Sequence, residues 1–208
     1  MRYAHHRRLG RLFARLAALG MPPYKGRYPL ALLSPRGYIS PDAVVHHRNF
    51  ECGRHVFIGD RVTIYQNPAE GRVHLHDGVH LYGDTIIETG LGGTVEIGRE
   101  THIQSHCHLS AFAGSLSIGE RVEIAPRCAF YPYNHEFKRG IPIRSQPFLS
   151  KGGIRIGDDC WLGVGAVILD GVTIGSHAVI GAGSVVRQDI PAHAIAAGVP
   201  ARVLRMRE

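Results

Sequence analysis

The chain has 208 residues, 26 of them glycine and 44% hydrophobic, a content too apolar for disorder and sufficient for one domain with its own core. Its formal charge is +7, from 24 Lys and Arg against 17 Asp and Glu. Eight of those bases precede the first acid, Asp42, so the remainder holds 16 bases against 17 acids and is near neutral. That balance argues against a folded basic face for nucleic acid. It leaves open an arm that touches an anionic partner or a membrane. No apolar run reaches the length of a membrane span. The Leu/Ala stretch from Leu9 to Leu19 is broken by Arg11 and Arg15, unlike a secretory signal. The expected location is the cytoplasm, peripheral at the inner face of the membrane should the arm bind lipid.

In chain order, the first element is a helix over 2–20. Leu9, Leu12, Phe13, Leu16 and Leu19 recur at three- and four-residue steps with Arg8, Arg11 and Arg15 between them. Met21-Pro22-Pro23 ends it. Two readings of this basic amphipathic helix stay open. It packs on the body or a neighbouring subunit, the reading preferred here, or it lies on an anionic membrane surface. Helix and linker together make residues 1–38.

Residues 39–190 form the body, and its pattern is clearest toward the end. Ile156, Leu162, Ile168, Ile174, Ile180 and Val186 stand six apart, and Gly157, Gly163, Gly175 and Gly181 follow four of them. Four residues after the first five comes a small or β-branched residue: Cys160, Ala166, Val172, Ala178, Ser184. Neither a helix nor an alternating strand has this period. It predicts a short strand with one aliphatic inward, a tight turn permitted by the glycine's unusual backbone angles, and a small residue at the corner. Three such units close a triangular coil, and coils stack as parallel strands.

The same phase runs upstream in degraded form: Ile58-Gly59 with Val62, Ile97-Gly98 with Thr101, and Ile118-Gly119 with Val122. Leu75 with Val79, and Leu81 with Thr85, fit without the glycine. Ile118 to Ile156 spans two coils' worth of chain, so a loop at about 130–152 projects there, and such loops are commonly functional. Cys107, Cys128 and Cys160 fall at the small inward position, which makes them core residues. Residues 191–208 form a tail.

The six-residue pattern, the excursion Tyr133-Asn134-His135-Glu136-Phe137, the stretch Gly157-Asp158-Asp159-Cys160-Trp161-Leu162-Gly163 and the ending Ala196-Ala197-Gly198-Val199-Pro200-Ala201-Arg202-Val203 together resemble the hexapeptide-repeat acyltransferases, nearest the galactoside and maltose O-acetyltransferases. The resemblance covers roughly residues 40–205. It implies an all-β, left-handed parallel β-helix and a homotrimer with active sites between subunits. It also implies acetyl-CoA as donor and a sugar or glycan hydroxyl as acceptor. Transfer to an amino sugar, or a non-catalytic scaffold, are the competing functions.

The resemblance makes His135 the general base, for which an imidazole titrating near neutrality is suited. It assigns Val164, Ala182, Arg187, Gln188, Arg202 and Arg205 to CoA. Arginine pairs well with phosphate oxygens, and Gly163-Val164 offers main-chain donors to an oxyanion. On the acceptor side it suggests Ser105, Asn134 and Trp161, where Trp161 either walls the pantetheine or acceptor pocket or packs at a coil corner; Asn134 and Glu136, as sequence neighbours, are the candidates to orient the imidazole. Ser105 stands where the galactoside enzymes carry an asparagine and Ala113 where they carry an acid, so the acceptor is expected to differ. No metal is expected. The histidines His74, His76, His80, His102, His106 and His108 lack the His-x4-His spacing of the hexapeptide carbonic anhydrases. His80 and His102 fall at one outward phase on successive coils, as a surface or interface ladder would.

Overall fold

The computed structural model describes residues 8–67 and 70–208. Three parallel sheets form the faces of a seven-coil prism. The first runs through Tyr38–Ile39, Phe57–Ile58, His80–Leu81, His102–Ile103, Glu123–Ile124, Trp161–Leu162, Val179–Ile180 and Ala194–Gly198. The second runs from Val44–His46 to Val185–Val186, and the third from Phe50–Cys52 to Thr173–Ile174. The chain finishes with Ala201–Met206 turned back antiparallel on Ala194–Gly198.

The six-residue phase is the phase of the core. Ile58, Leu81, Ile103, Ile124, Leu162 and Ile180 form one fully buried column, a rung per coil. Cys107, Cys128, Cys160, Ala166, Ala178 and Ser184 fill the corners and are buried. Ile97 pairs with Ile118, and Ile118 with Ile156, so the upstream repeats keep register despite their gaps.

The glycines act otherwise than expected. Those directly after the inward aliphatic, such as Gly163, have ordinary backbone angles. The left-handed residue comes two positions later: Arg61, Asp84, His106, Arg127, Gly165 and Gly183 at the edge between first and second sheets have φ of 55, 62, 62, 63, 71 and 67°. Gly163 is needed for space, since a Cβ there would lie 2.6 Å from the backbone nitrogen of Ala182 on the next coil. Stacking at about 4.8 Å leaves no room for a side chain aimed along the axis.

The helix is Arg8–Ala18, and the expected stretch 2–7 lies outside the described residues. Its stripe is not buried by its own coil. Leu12, Phe13, Leu16 and Leu19 are 51, 65, 52 and 73% exposed, while among the described side chains Ala14, Ala18 and Met21 pack inward. The linker packs instead. A turn at Tyr24–Arg27 and a short helix at Pro29–Leu32 cover the outer side of the first sheet, burying Leu30, Ala31, Tyr38, Phe57 and Tyr82 together. Arg27 clamps Asp60 with two contacts of 2.8 Å. His80 and His102 do form a ladder, stacked at 4.1 Å and 5°. Its lower rung is not surface: Tyr28 lies 4.4 Å from the His80 ring, which is 4% exposed. Burial and the neighbouring His102 push the His80 imidazole down to about 4.

Candidate active site

The excursion leaves the second sheet after Tyr131 and re-enters the third at Ile154. It folds into a two-stranded antiparallel ribbon, Asn134–His135 against Phe148–Leu149. His135 is exposed, and its ring packs on Phe148 at 4.5 Å. Phe148 in turn meets Phe112 at 5.2 Å and Tyr133 at 5.4 Å, both edge-on. These aromatic contacts seat the ribbon on the end of the second-sheet strand His108–Ala111.

A buried carboxylate fastens it. Asp170, 5% exposed at the corner after Val167–Leu169, accepts from the backbone nitrogens of Lys151 (2.6 Å) and Gly153 (3.2 Å), from Ser150 Oγ (3.1 Å) and from Asn134 Nδ2 (3.5 Å). Charge-assisted bonds of this kind are stronger than neutral ones. At the tip, buried Gln146 accepts from Lys138 N (2.7 Å) and donates to the carbonyls of Lys138 and Ile141. Neither anchor was expected from the sequence. For Asp170 the available signal was an acid before Gly171 at the coil corner facing the insertion; Gln146 offered none.

Asn134 is thus engaged by Asp170. Glu136 pairs with Lys138 at 2.8 Å, and the imidazole rests on Phe148.

Apart from Asn134, the residues expected to hold donor and acceptor lie elsewhere. Ser105, Pro126 and Val164 succeed one another up the edge between first and second sheets, tied by Arg127 N to Ser105 O (3.1 Å), Gly165 N to Pro126 O (3.0 Å) and Gly183 N to Val164 O (2.8 Å). Ala182 is exposed on the same edge one coil on. Trp161 projects from the first sheet between Glu123 and Val179, and at 56% exposure it is no packing residue. Arg187 and Gln188 follow the last second-sheet strand, and Arg202 Nη1 reaches Gln188 Oε1 at 3.3 Å. Arg205 lies opposite Ile195 on the terminal hairpin.

Ser105 also gains a partner that the sequence did not suggest. Its Oγ donates to Tyr24 Oη at 3.2 Å, and Tyr24 donates to Gln104 Oε1 at 2.9 Å. Beside them is a cavity of about 180 Å³ lined by Tyr24, Arg27, Asp60, Tyr82, Asp84 and His106 among others. The two groups of expected site residues therefore stand at different edges of the prism. The His135 ribbon stands at the edge between second and third sheets, and the Ser105–Val164–Ala182 line at the edge between first and second.

Residues 153–188 match the family described as Bacterial transferase hexapeptide (six repeats). A Mycobacterium tuberculosis protein named as a probable acetyltransferase is 33% identical over 159 residues, 76% of this chain and 44% of that protein. The galactoside O-acetyltransferase of Escherichia coli K12 is 38% identical over 118 residues, 55% of each chain. The chain thus spans about half the length of these curated relatives. Among solved structures, the N-acyltransferase AntD of Bacillus cereus, in complex with dTDP and coenzyme A, superposes with a TM-score of 0.66 at 23% identity, over 77% of this chain and 86% of that one. At that identity the likeness is one of fold. Residues 153–188 carry the bacterial transferase hexapeptide repeat, and the chain is similar over 55–76% of its length to named acetyltransferases.

Proposed function

We propose that this hexapeptide-repeat chain is an acetyl-CoA-dependent O-acetyltransferase acting on a sugar or glycan hydroxyl, with His135 as general base. The observation that carries the reading is the split site. A loop histidine seated on aromatic rings stands at one edge of the prism, and the line of Ser105, Val164 and Ala182 stands at the next. A base and a donor groove on adjacent edges meet when copies of the chain pack side by side. A ring of three meets this need with three equivalent sites.

In the proposed step, the acceptor hydroxyl attacks the thioester carbonyl while His135 takes its proton. Main-chain N–H groups near Gly163-Val164 stabilise the oxyanion. The tetrahedral species collapses with loss of the CoA thiolate, which recovers the proton from the imidazolium. Transfer is direct, so binding and orientation supply much of the rate. Arg187, Arg202 and Arg205 would meet the CoA phosphates, with Gln188 held beside Arg202. The cavity beside Ser105, with the Arg27–Asp60 pair in its wall, would take the acceptor.

The exposed stripe of Leu12, Phe13, Leu16 and Leu19 is a contact surface, covered by a neighbouring copy or by an anionic membrane at the cytoplasmic face. Vesicle co-sedimentation with and without residues 1–20 separates the two. Equal pelleting removes the membrane.

The test of function is a screen of sugars and glycans with acetyl-CoA, reading free thiol. Thiol release that depends on a hydroxyl acceptor supports the reading. Release only with amino sugars redirects it to N-acetylation, and no release with any acceptor rejects it.

A further inference from the structure

The outward side of the third sheet holds a cluster that acetyl transfer does not use. Strand Arg72–Leu75 lies between Phe50–Cys52 and Thr94–Ile97, and the register sets His74 opposite Glu51 on one side and Glu96 on the other. Val73, Leu75, Val95 and Ile97 are buried, so the alternation of a strand turns His74 and Glu96 outward. His76 follows two residues later and returns to the same side. Its ring lies 4.1 Å from that of His74, and its Nε2 is 3.0 Å from Glu96 Oε1.

One ligand atom from each of His74, His76 and Glu96 lies within 4.8 Å of the other two. A tetrahedral ion with bonds of about 2.0–2.2 Å holds its ligand atoms roughly 3.4 Å apart. Closing the cluster on an ion therefore takes side-chain rotation of about an ångström. Parallel pairing on both sides holds the strand Arg72–Leu75 in place.

Two imidazoles and one carboxylate suit Zn²⁺ and its first-row neighbours, whereas Ca²⁺ and Mg²⁺ prefer all-oxygen shells. We propose that His74, His76 and Glu96 bind a divalent first-row transition metal ion of the Zn²⁺ type, with the remaining position left to water. The ion bridges two adjacent coils on the third sheet, below the coil at which the His135 ribbon re-enters. Arg72, on the same strand, lies 3.7 Å from Glu51, which offsets its charge.

Titration calorimetry of the EDTA-stripped full chain with ZnCl₂, with visible spectra in CoCl₂, tests the site. One ion per chain and the intense bands of four-coordinate Co²⁺ are expected. Glu96→Gln should weaken binding about tenfold or more, since even an outer-shell partner is worth that much. The double variant His74→Ala/His76→Ala should lose the bands. His193→Asn, at a separate close pair where His177 and His193 stack at 4.7 Å, should keep them. No saturable site in the unmodified chain overturns the proposal, as do unchanged bands in the double variant. Should the double variant lose its β circular dichroism, Glu96→Gln decides alone, and unchanged Zn²⁺ affinity there rejects the site.

Discussion

The coil edge and the His135 ribbon are held by different physics. Along the edge, Ser105, Pro126 and Val164 are fixed by main-chain bonds repeated on every coil, so no single side chain bears the geometry. The ribbon has no such ladder. It rests on one carboxylate, Asp170, one amide, Gln146, and a wedge of rings around Phe148. A repeated scaffold distributes its stability, whereas an insertion concentrates it. The edge should therefore absorb substitution, and the ribbon should not.

The largest effect is expected at His135. His135→Ala should lower turnover by about 10²–10⁴-fold, with CoA binding and assembly unchanged in calorimetry and sedimentation. Near-normal turnover would sink the proposed mechanism.

The next concerns the coil and acid. The His80 imidazole is held at about 4 in the fold, against 6.5 when free. Between these values the unfolded chain takes up a proton and the folded chain does not. The stability contributed by this group is thus full above about pH 6.5 and falls as pH drops toward 4, by about 3 kcal/mol in all. Urea midpoints across that range should decline, and His80→Phe should flatten the decline. An identical slope in both proteins would assign acid sensitivity elsewhere.

Asp170→Asn comes third. It retains the shape but forfeits charge-assisted bonds, and should cost about 1–3 kcal/mol of stability. The sharper readout is local. Exchange at the amides of Lys151 and Gly153 should quicken, and kcat should fall about tenfold with KM for acetyl-CoA unchanged, through misplacement of His135. A loss of KM alone would separate Asp170 from the base.

Val164→Ala should do least. The edge offers its main chain, so stability should shift within about 0.5 kcal/mol and CoA affinity should hold. A large loss there would mean that the side chain itself contacts the donor, and the contrast between edge and ribbon would fail.

Much of the prism was legible. Ile156, Leu162 and Ile168 announce a coil because each meets its partners at a regular separation, so contact geometry is written into the period. The corner cysteines and the stacking of His80 on His102 follow from the same phase. The purpose of the glycines was misread, because a period shows that a small residue is required and not whether angle or space requires it. Gly163 answers to space, and Gly165 to angle.

By itself, the sequence determined the coil, its seat of insertion and the histidine within it. Tertiary structure alone decided that Asp170 binds the ribbon from 36 residues after Asn134, and that Tyr24 reaches Ser105 across 81. It also decided that the linker, and not the helix stripe, covers the first sheet. Contacts that recur with the coil leave a trace in the order of residues. Contacts made once, by an insertion or an arm folding back, leave none until the chain is closed.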